Sequence, residues 1–146
     1  MTKSQLISKI AAAISRMEGY TLLSSLARKN NNPGNLRQWP GVQSVNGFAK
    51  FNRAEDGWKA LYQQIENNIL GRGKTDSFKL RAKDGLTLRE FFGGQRDQHG
   101  ATLPGGYPGY APAADSNQPD HYAKFVASTF EPPIDIDVKL KTLITE

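Results

Sequence analysis

Gln5-Leu6-Ile7-Ser8-Lys9-Ile10-Ala11-Ala12-Ala13-Ile14-Ser15-Arg16-Met17-Glu18-Gly19 is the stretch on which the reading of the fold turns. At the helical repeat of about 100° per residue, Ile7, Ala11, Ile14 and Glu18 fall within about 60° of one another. Leu6, Ile10 and Met17 flank them and complete an apolar stripe. The period predicts a helix over residues 5–18. Thr2 and Gln5 have capping-box spacing, with Ser4 as a rival cap, and Gly19 is a natural stop. The stripe therefore ends in a carboxylate. Lys9 interrupts the apolar run, and Ser15-Arg16-Met17-Glu18 stands where a signal peptide would carry its small-residue cleavage site. The segment is expected to be a mature helix, so work outside the cytoplasm would depend on another export route.

Outward from this helix the periodicity vanishes between Ala27 and Gly47, where Asn30, Asn31, Asn32, Pro33, Gly34, Asn35, Pro40 and Gly41 form a dense run of turn-formers. Phe48–Phe51 alternates and predicts at most a very short strand. A second strong helix is expected over Ala54–Leu70, with Trp58, Leu61, Tyr62, Ile65 and Ile69 on one face and Gly71 and Gly73 at its end. Thr87 and Glu90 repeat the capping-box spacing and predict a short helix over Thr87–Phe92. Gly93–Gln118 is long and rich in Gly and Pro, the kind of loop that is functional or disordered. Pro119 suits the first position of a helix carrying Tyr122, Phe125, Val126 and Phe130, which Pro132 and Pro133 break. A last short helix is expected over Asp137–Ile144. The picture is one mainly α domain, residues 1–146, with long polar loops.

The 146 residues are about one domain's worth, enough to build a core without staples. Cysteine is absent, which excludes disulfides, thiolate metal sites and cysteine nucleophiles. His99 and His121 lie far apart without ligand spacing, so a zinc site is not expected, and nothing else in the reading implies a metal or organic cofactor. No run approaches the roughly 20 apolar residues of a membrane span. Nineteen basic against 14 acidic residues leave a net charge of +5, a sign that suits nucleic acid, anionic glycans or a cell wall. Arg28, Lys29, Arg37, Lys50, Arg53, Lys79, Arg81 and Lys83 are scattered over several elements, with no helix-turn-helix pattern, so nucleic acid is the weaker choice.

Glu18 carries the most information. A carboxylate on the apolar face of a helix is partly desolvated, which moves its acidity toward the range a general acid needs. The plainer alternative is a core ion pair with an arginine. The sequence around and after it weighs on that choice: Met17-Glu18-Gly19-Tyr20, Asn32-Pro33-Gly34-Asn35-Leu36-Arg37, Gly47-Phe48-Ala49-Lys50-Phe51, Glu55-Asp56-Gly57-Trp58-Lys59-Ala60-Leu61, Tyr110-Ala111-Pro112, Asp115-Ser116-Asn117 and Tyr122. As an ordered set these resemble the small lytic-transglycosylase-like domains of phage particles, lysis cassettes and some bacterial cell-wall enzymes. Those domains belong to the lysozyme-like superfamily, with soluble lytic transglycosylases and goose-type lysozymes. The resemblance covers roughly Ile7 to Val126.

The resemblance implies a lysozyme-like fold in which Glu18 matches the catalytic acid at the end of the first core helix. Asn32 and Asn35 lie in the glycan-lining loop, Tyr122 matches the tyrosine facing the catalytic glutamate, and Tyr110 and Asn117 belong to the substrate-contacting stretch before it. Two departures stand out: Glu18-Gly19 replaces the Glu-Ser dipeptide of the larger transglycosylases, and Gly93–Gly109 is longer than the family pattern. The implied activity is cleavage of the MurNAc-β-1,4-GlcNAc bond of peptidoglycan glycan strands by a monomer, delivered to the wall by lysis, in a particle or by a non-classical route.

Glycoside cleavage needs a proton donor beside the leaving oxygen, and hydrolysis usually needs a second carboxylate. Glu55, Asp56 and Asp115 are the candidates. Glu55 and Asp56 read more simply as first-turn helix residues, and Asp115 as a turn or cap. A lytic transglycosylase, which needs no second carboxylate, is therefore the expected form, with a muramidase and a non-catalytic wall-binding or particle-structural domain as alternatives. Trp39, Tyr107 and Tyr110 are candidate faces for sugar rings, whereas Trp58, Tyr62 and Phe125 are assigned to the core.

Overall fold

The computed structural model describes residues 1–70, 85–111 and 118–145. Among them the chain is mainly helical, with one two-stranded sheet. Its elements run α1 (Lys3–Met17), α2 (Leu26–Lys29), β1 (Gln43–Val45), β2 (Phe48–Lys50), α3 (Ala54–Leu70), α4 (Leu88–Gly93) and α5 (Pro119–Ser128), then a 3-10 helix at Leu140–Leu143. Internal contacts gather into two compact units: Ile7–Ile65, and Met1–Leu6 together with Glu66–Glu146.

The helix starts follow the capping chemistry. Thr2 and Gln5 form the expected reciprocal pair: the Thr2 N–H donates to Gln5 Oε1 at 2.8 Å, and the Gln5 N–H donates to Thr2 Oγ1 at 3.1 Å. The helix accordingly begins at Lys3, two residues earlier than its apolar period suggests. Thr87 and Glu90 do the same for α4. Pro119 opens α5 as its first residue. Gly71 and Gly73, expected to end α3, lie outside the described residues. Near the C-terminus a 3-10 turn at Leu140–Leu143 replaces the longer helix expected over Asp137–Ile144.

In the Ile7–Ile65 unit, Ile10, Ala11, Ile14, Leu61 and Ile65 are fully buried, as their helical spacing requires. Two elements here, α2 and β1, have no counterpart in the periodicity, whereas β2 falls on the alternating Phe48–Phe51. Ser25 caps the single turn of α2 by accepting from the Arg28 N–H at 3.1 Å. The strands β1 and β2 pair antiparallel with Val45 opposite Phe48, joined by Asn46 and Gly47 at φ +52° and +84°. Two consecutive positive φ values define the I′ turn that an Asn-Gly pair favours. The asparagine-rich loop is tied to this hairpin: the Ala49 N–H donates to Leu36 O at 2.9 Å, and the Phe51 N–H to Asn30 O at 2.9 Å. It also lies directly on α3, because a Cβ at Gly57 would collide with the Asn31 carbonyl. That close approach explains a glycine inside a helix.

In the second unit, Phe91, Phe92, Tyr107, Tyr110 and Tyr122 form an aromatic cluster, with Tyr122 stacked on Phe92 at 4.5 Å between ring centroids. The Gly93–Gly109 segment is held to itself. Arg96 donates to the carbonyls of Gly93, Gly100 and Pro108, and Gln95 exchanges hydrogen bonds with Tyr107. Arg89 binds Asp120 at 2.6 Å and Asp137 at 2.7 Å, joining α4 to α5 and to the C-terminal segment.

Candidate functional site

Glu18 sits one residue beyond α1, yet its N–H still donates to Ile14 O at 2.9 Å, so the helical path holds it on the stripe. Gly19 then turns the chain away at φ +74°. The side chain is half-buried. Asn35 Nδ2 donates to Glu18 Oε2 at 3.4 Å, a long contact that brings the asparagine loop to the carboxylate. Asn35 reaches it from a left-handed backbone, φ +49°, which asparagine tolerates better than other side-chain-bearing residues. Its Oδ1 is buried without a hydrogen-bond partner among the described residues. The carboxylate and a buried, unpartnered amide oxygen thus stand side by side.

Asn32, expected to line a glycan, is corrected to a structural role. It is fully buried, its Nδ2 donates to Leu36 O and Ala49 O at 2.9 Å each, and its Oδ1 accepts from the Leu36 N–H at 2.9 Å. Every polar group of the amide is engaged by backbone, so none is left for a ligand. Its contribution to the site is indirect, because it fixes the loop that presents Asn35.

The other predicted residues divide. Tyr110 is half-buried against Phe91, with ring centroids 5.3 Å apart, and Tyr122 is buried on Phe92. Both belong to the second unit. Tyr107 is core rather than a sugar face, and Tyr62, expected in the core, is 39 % exposed. Asn117 and Asp115 lie outside the described residues. Glu55 is exposed and 3.8 Å from Arg53, while Arg53 grips Asp56 through two contacts at 3.0 and 3.2 Å. The Arg53 hydrogen bond holds the Asp56 carboxyl below its ordinary range, with Lys59 adding to the effect. Asp56 is therefore a standing anion at a helix start, unsuited to proton donation.

The sequence reading misses a groove of about 680 Å³ in the Ile7–Ile65 unit. The segment around Trp39 and Gln43 forms one wall, Lys50 and Asn52 at the end of β2 another, and Asp56, Lys59 and Gln63 of α3 a third. A smaller hollow of about 500 Å³ shares Trp39. The signal that would have found the groove is Asn46-Gly47, since the hairpin it closes sets Gln43 opposite Lys50. Among the described residues no group of His, Cys, Asp or Glu could hold a metal ion. No known family model, curated protein or solved structure matches the chain.

Proposed function

We propose that the chain cleaves peptidoglycan glycan strands at the MurNAc-β-1,4-GlcNAc bond on a lysozyme-like fold, as a lytic transglycosylase with Glu18 as its one catalytic acid. The observation that carries this reading is the half-buried Glu18 carboxylate at the end of α1, with the Asn35 amide on it. A carboxyl group so placed is screened from bulk water on one side and oriented on the other, which suits proton transfer to a glycosidic oxygen.

In the proposed reaction Glu18 gives its proton to the leaving oxygen as the bond from the muramic C1 breaks. The 6-hydroxyl of the same sugar then forms the new bond to C1 and returns its proton to the Glu18 carboxylate. The tethered hydroxyl replaces water and its general base, an intramolecular advantage. Glu55 and Asp56 lie beside Arg53 at the solvent-accessible start of α3, where they serve as first-turn helix residues, and this supports a route that needs no second carboxylate. The proposed substrate lies in the cell wall.

Mass analysis of products from purified peptidoglycan tests the proposal. The expected products are 1,6-anhydromuropeptides, lighter by one water than reducing-end muropeptides, and Glu18→Gln abolishes their release while the fold stays intact. Reducing-end products would establish a muramidase instead. Wall binding without cleavage by the unaltered chain would leave a binding domain.

A further inference from the structure

The positive charge of the chain is unevenly placed. Residues 7–65 hold eight lysines and arginines against Glu18, Glu55 and Asp56, which accounts for the whole +5, and the remaining residues balance at eleven of each sign. Lys50 and Lys59 of this unit both line the groove, both are exposed, and among the described residues neither takes part in an ion pair. Beside them stand the amides of Gln43, Asn52 and Gln63 and the half-buried indole of Trp39.

We propose that this groove binds a short carboxylate-bearing peptide, the stem peptide of the wall polymer, with Lys50 and Lys59 taking its carboxylates. The identity of that peptide rests on the peptidoglycan reading above. Side-chain amides both donate and accept, and so match peptide N–H and C=O groups pair by pair. Lysine ammonium groups meet carboxylates as point charges, and the indole offers an apolar face to small side chains. A volume of about 680 Å³ is of the size that holds such a ligand. Asp56 in the same wall is held by Arg53, so the groove presents the charges of Lys50 and Lys59. Two lysines suit one or two carboxylates, whereas a nucleic acid requires a basic stripe.

The test follows the backbone and indole N–H signals of the whole chain by NMR during titration with a muramyl pentapeptide. Its controls are the same compound with amidated carboxylates, chitotetraose, and a short DNA duplex. The pentapeptide is expected to move the Trp39 indole signal and leave that of Trp58, which packs edge-on against Tyr20, in place. Lys50→Gln with Lys59→Gln, and separately amidation, are each expected to weaken binding by about tenfold, as a lost charge pair would. The Lys50→Arg/Lys59→Arg pair keeps the charge and is expected to bind nearly as tightly. Both lysines are exposed, so thermal unfolding of the variants should match the parent.

Equal binding of the amidated compound, or unchanged binding by the Gln pair, would overturn the proposal. So would a Trp39 shift produced by chitotetraose or by the duplex at the same concentration. Failure here with Glu18-dependent wall cleavage intact would remove the groove proposal alone. Pentapeptide binding in a chain that cleaves no wall would remove the enzymatic reading and leave the groove as a wall-peptide site.

Discussion

Asn32 and Asn35 share one loop and do opposite jobs. Asn32 is buried and saturated by three backbone partners, whereas Asn35 extends an amide to Glu18 and keeps one oxygen unpartnered. Replacing Asn32 by Ala strands the buried Leu36 N–H and Ala49 carbonyl, while the Leu36 carbonyl keeps the Ala49 N–H, and each stranded group costs about 1–3 kcal/mol. Asn32→Ala is expected to lose roughly 3 kcal/mol in denaturant unfolding, a large share of a typical domain's stability. Asn35→Gly preserves the positive φ and deletes only the amide. It is expected to lower wall cleavage while its unfolding midpoint moves far less than that of Asn32→Ala. Equal destabilisation by both would show that Asn35 is as structural as its neighbour. The difference between them is invisible in sequence, because a run of turn-forming asparagines reads the same whether the amides bind backbone or ligand. Glu18 is legible because its place on the stripe depends only on helical period. Its partner is not, since that contact depends on how the loop folds back.

At the scale of elements, legibility follows the range of the signal. The starts of α1, α4 and α5 were readable because caps and an opening proline act within one turn. Aromatic residues were harder. Tyr62 lies on the period of α3 yet faces solvent, and Tyr107 lies in a polar loop yet stacks on Phe91, because both outcomes are set by neighbours distant in sequence. Gly57 is the sharpest case. Helix propensity alone predicts that Gly57→Ala stabilises α3 by about 1 kcal/mol. The structure predicts the opposite, because the new methyl would enter the Asn31 carbonyl and crowd Pro33 Cδ, both parts of the loop that carries Asn35. Overpacking of this kind costs about 1–3 kcal/mol. Thermal unfolding of Gly57→Ala should therefore show a lowered midpoint, and wall cleavage should fall with it as the loop shifts. A raised midpoint would mean that the loop is not seated on α3.

At the scale of the molecule, two arginines among the described residues each hold two carboxylates, one in each compact unit. Arg53 joins Glu55 and Asp56 at the start of α3, and Arg89 joins Asp120 and Asp137 around α4. Net charge and composition do not disclose these networks, since Arg89 and Asp137 are far apart in the chain and meet only when α4 has folded. Arg89 holds the Asp137 carboxyl below its ordinary value, by its hydrogen bond first and its charge second, as Arg53 does for Asp56. The direction of the pH dependence follows from linkage. A carboxyl whose folded acidity is enhanced stabilises the fold at any pH above its unfolded value, near 3.8, and loses that contribution as pH falls through the lower folded value. Stability from these groups should therefore be level from neutral pH down to about 5, then fall through the region below about 4. Both networks are exposed, so the effect should shrink in salt as the pairs are screened. Arg89→Gln removes the cause for Asp137. In this variant the midpoint should be lower at pH 7, and its further decline between pH 5 and pH 2 shallower than in the parent. The check is a series of thermal unfolding curves across that range at low and high ionic strength. Parallel curves for parent and variant would mean that Arg89 contributes through packing of its side chain against α5, with no part for the charge.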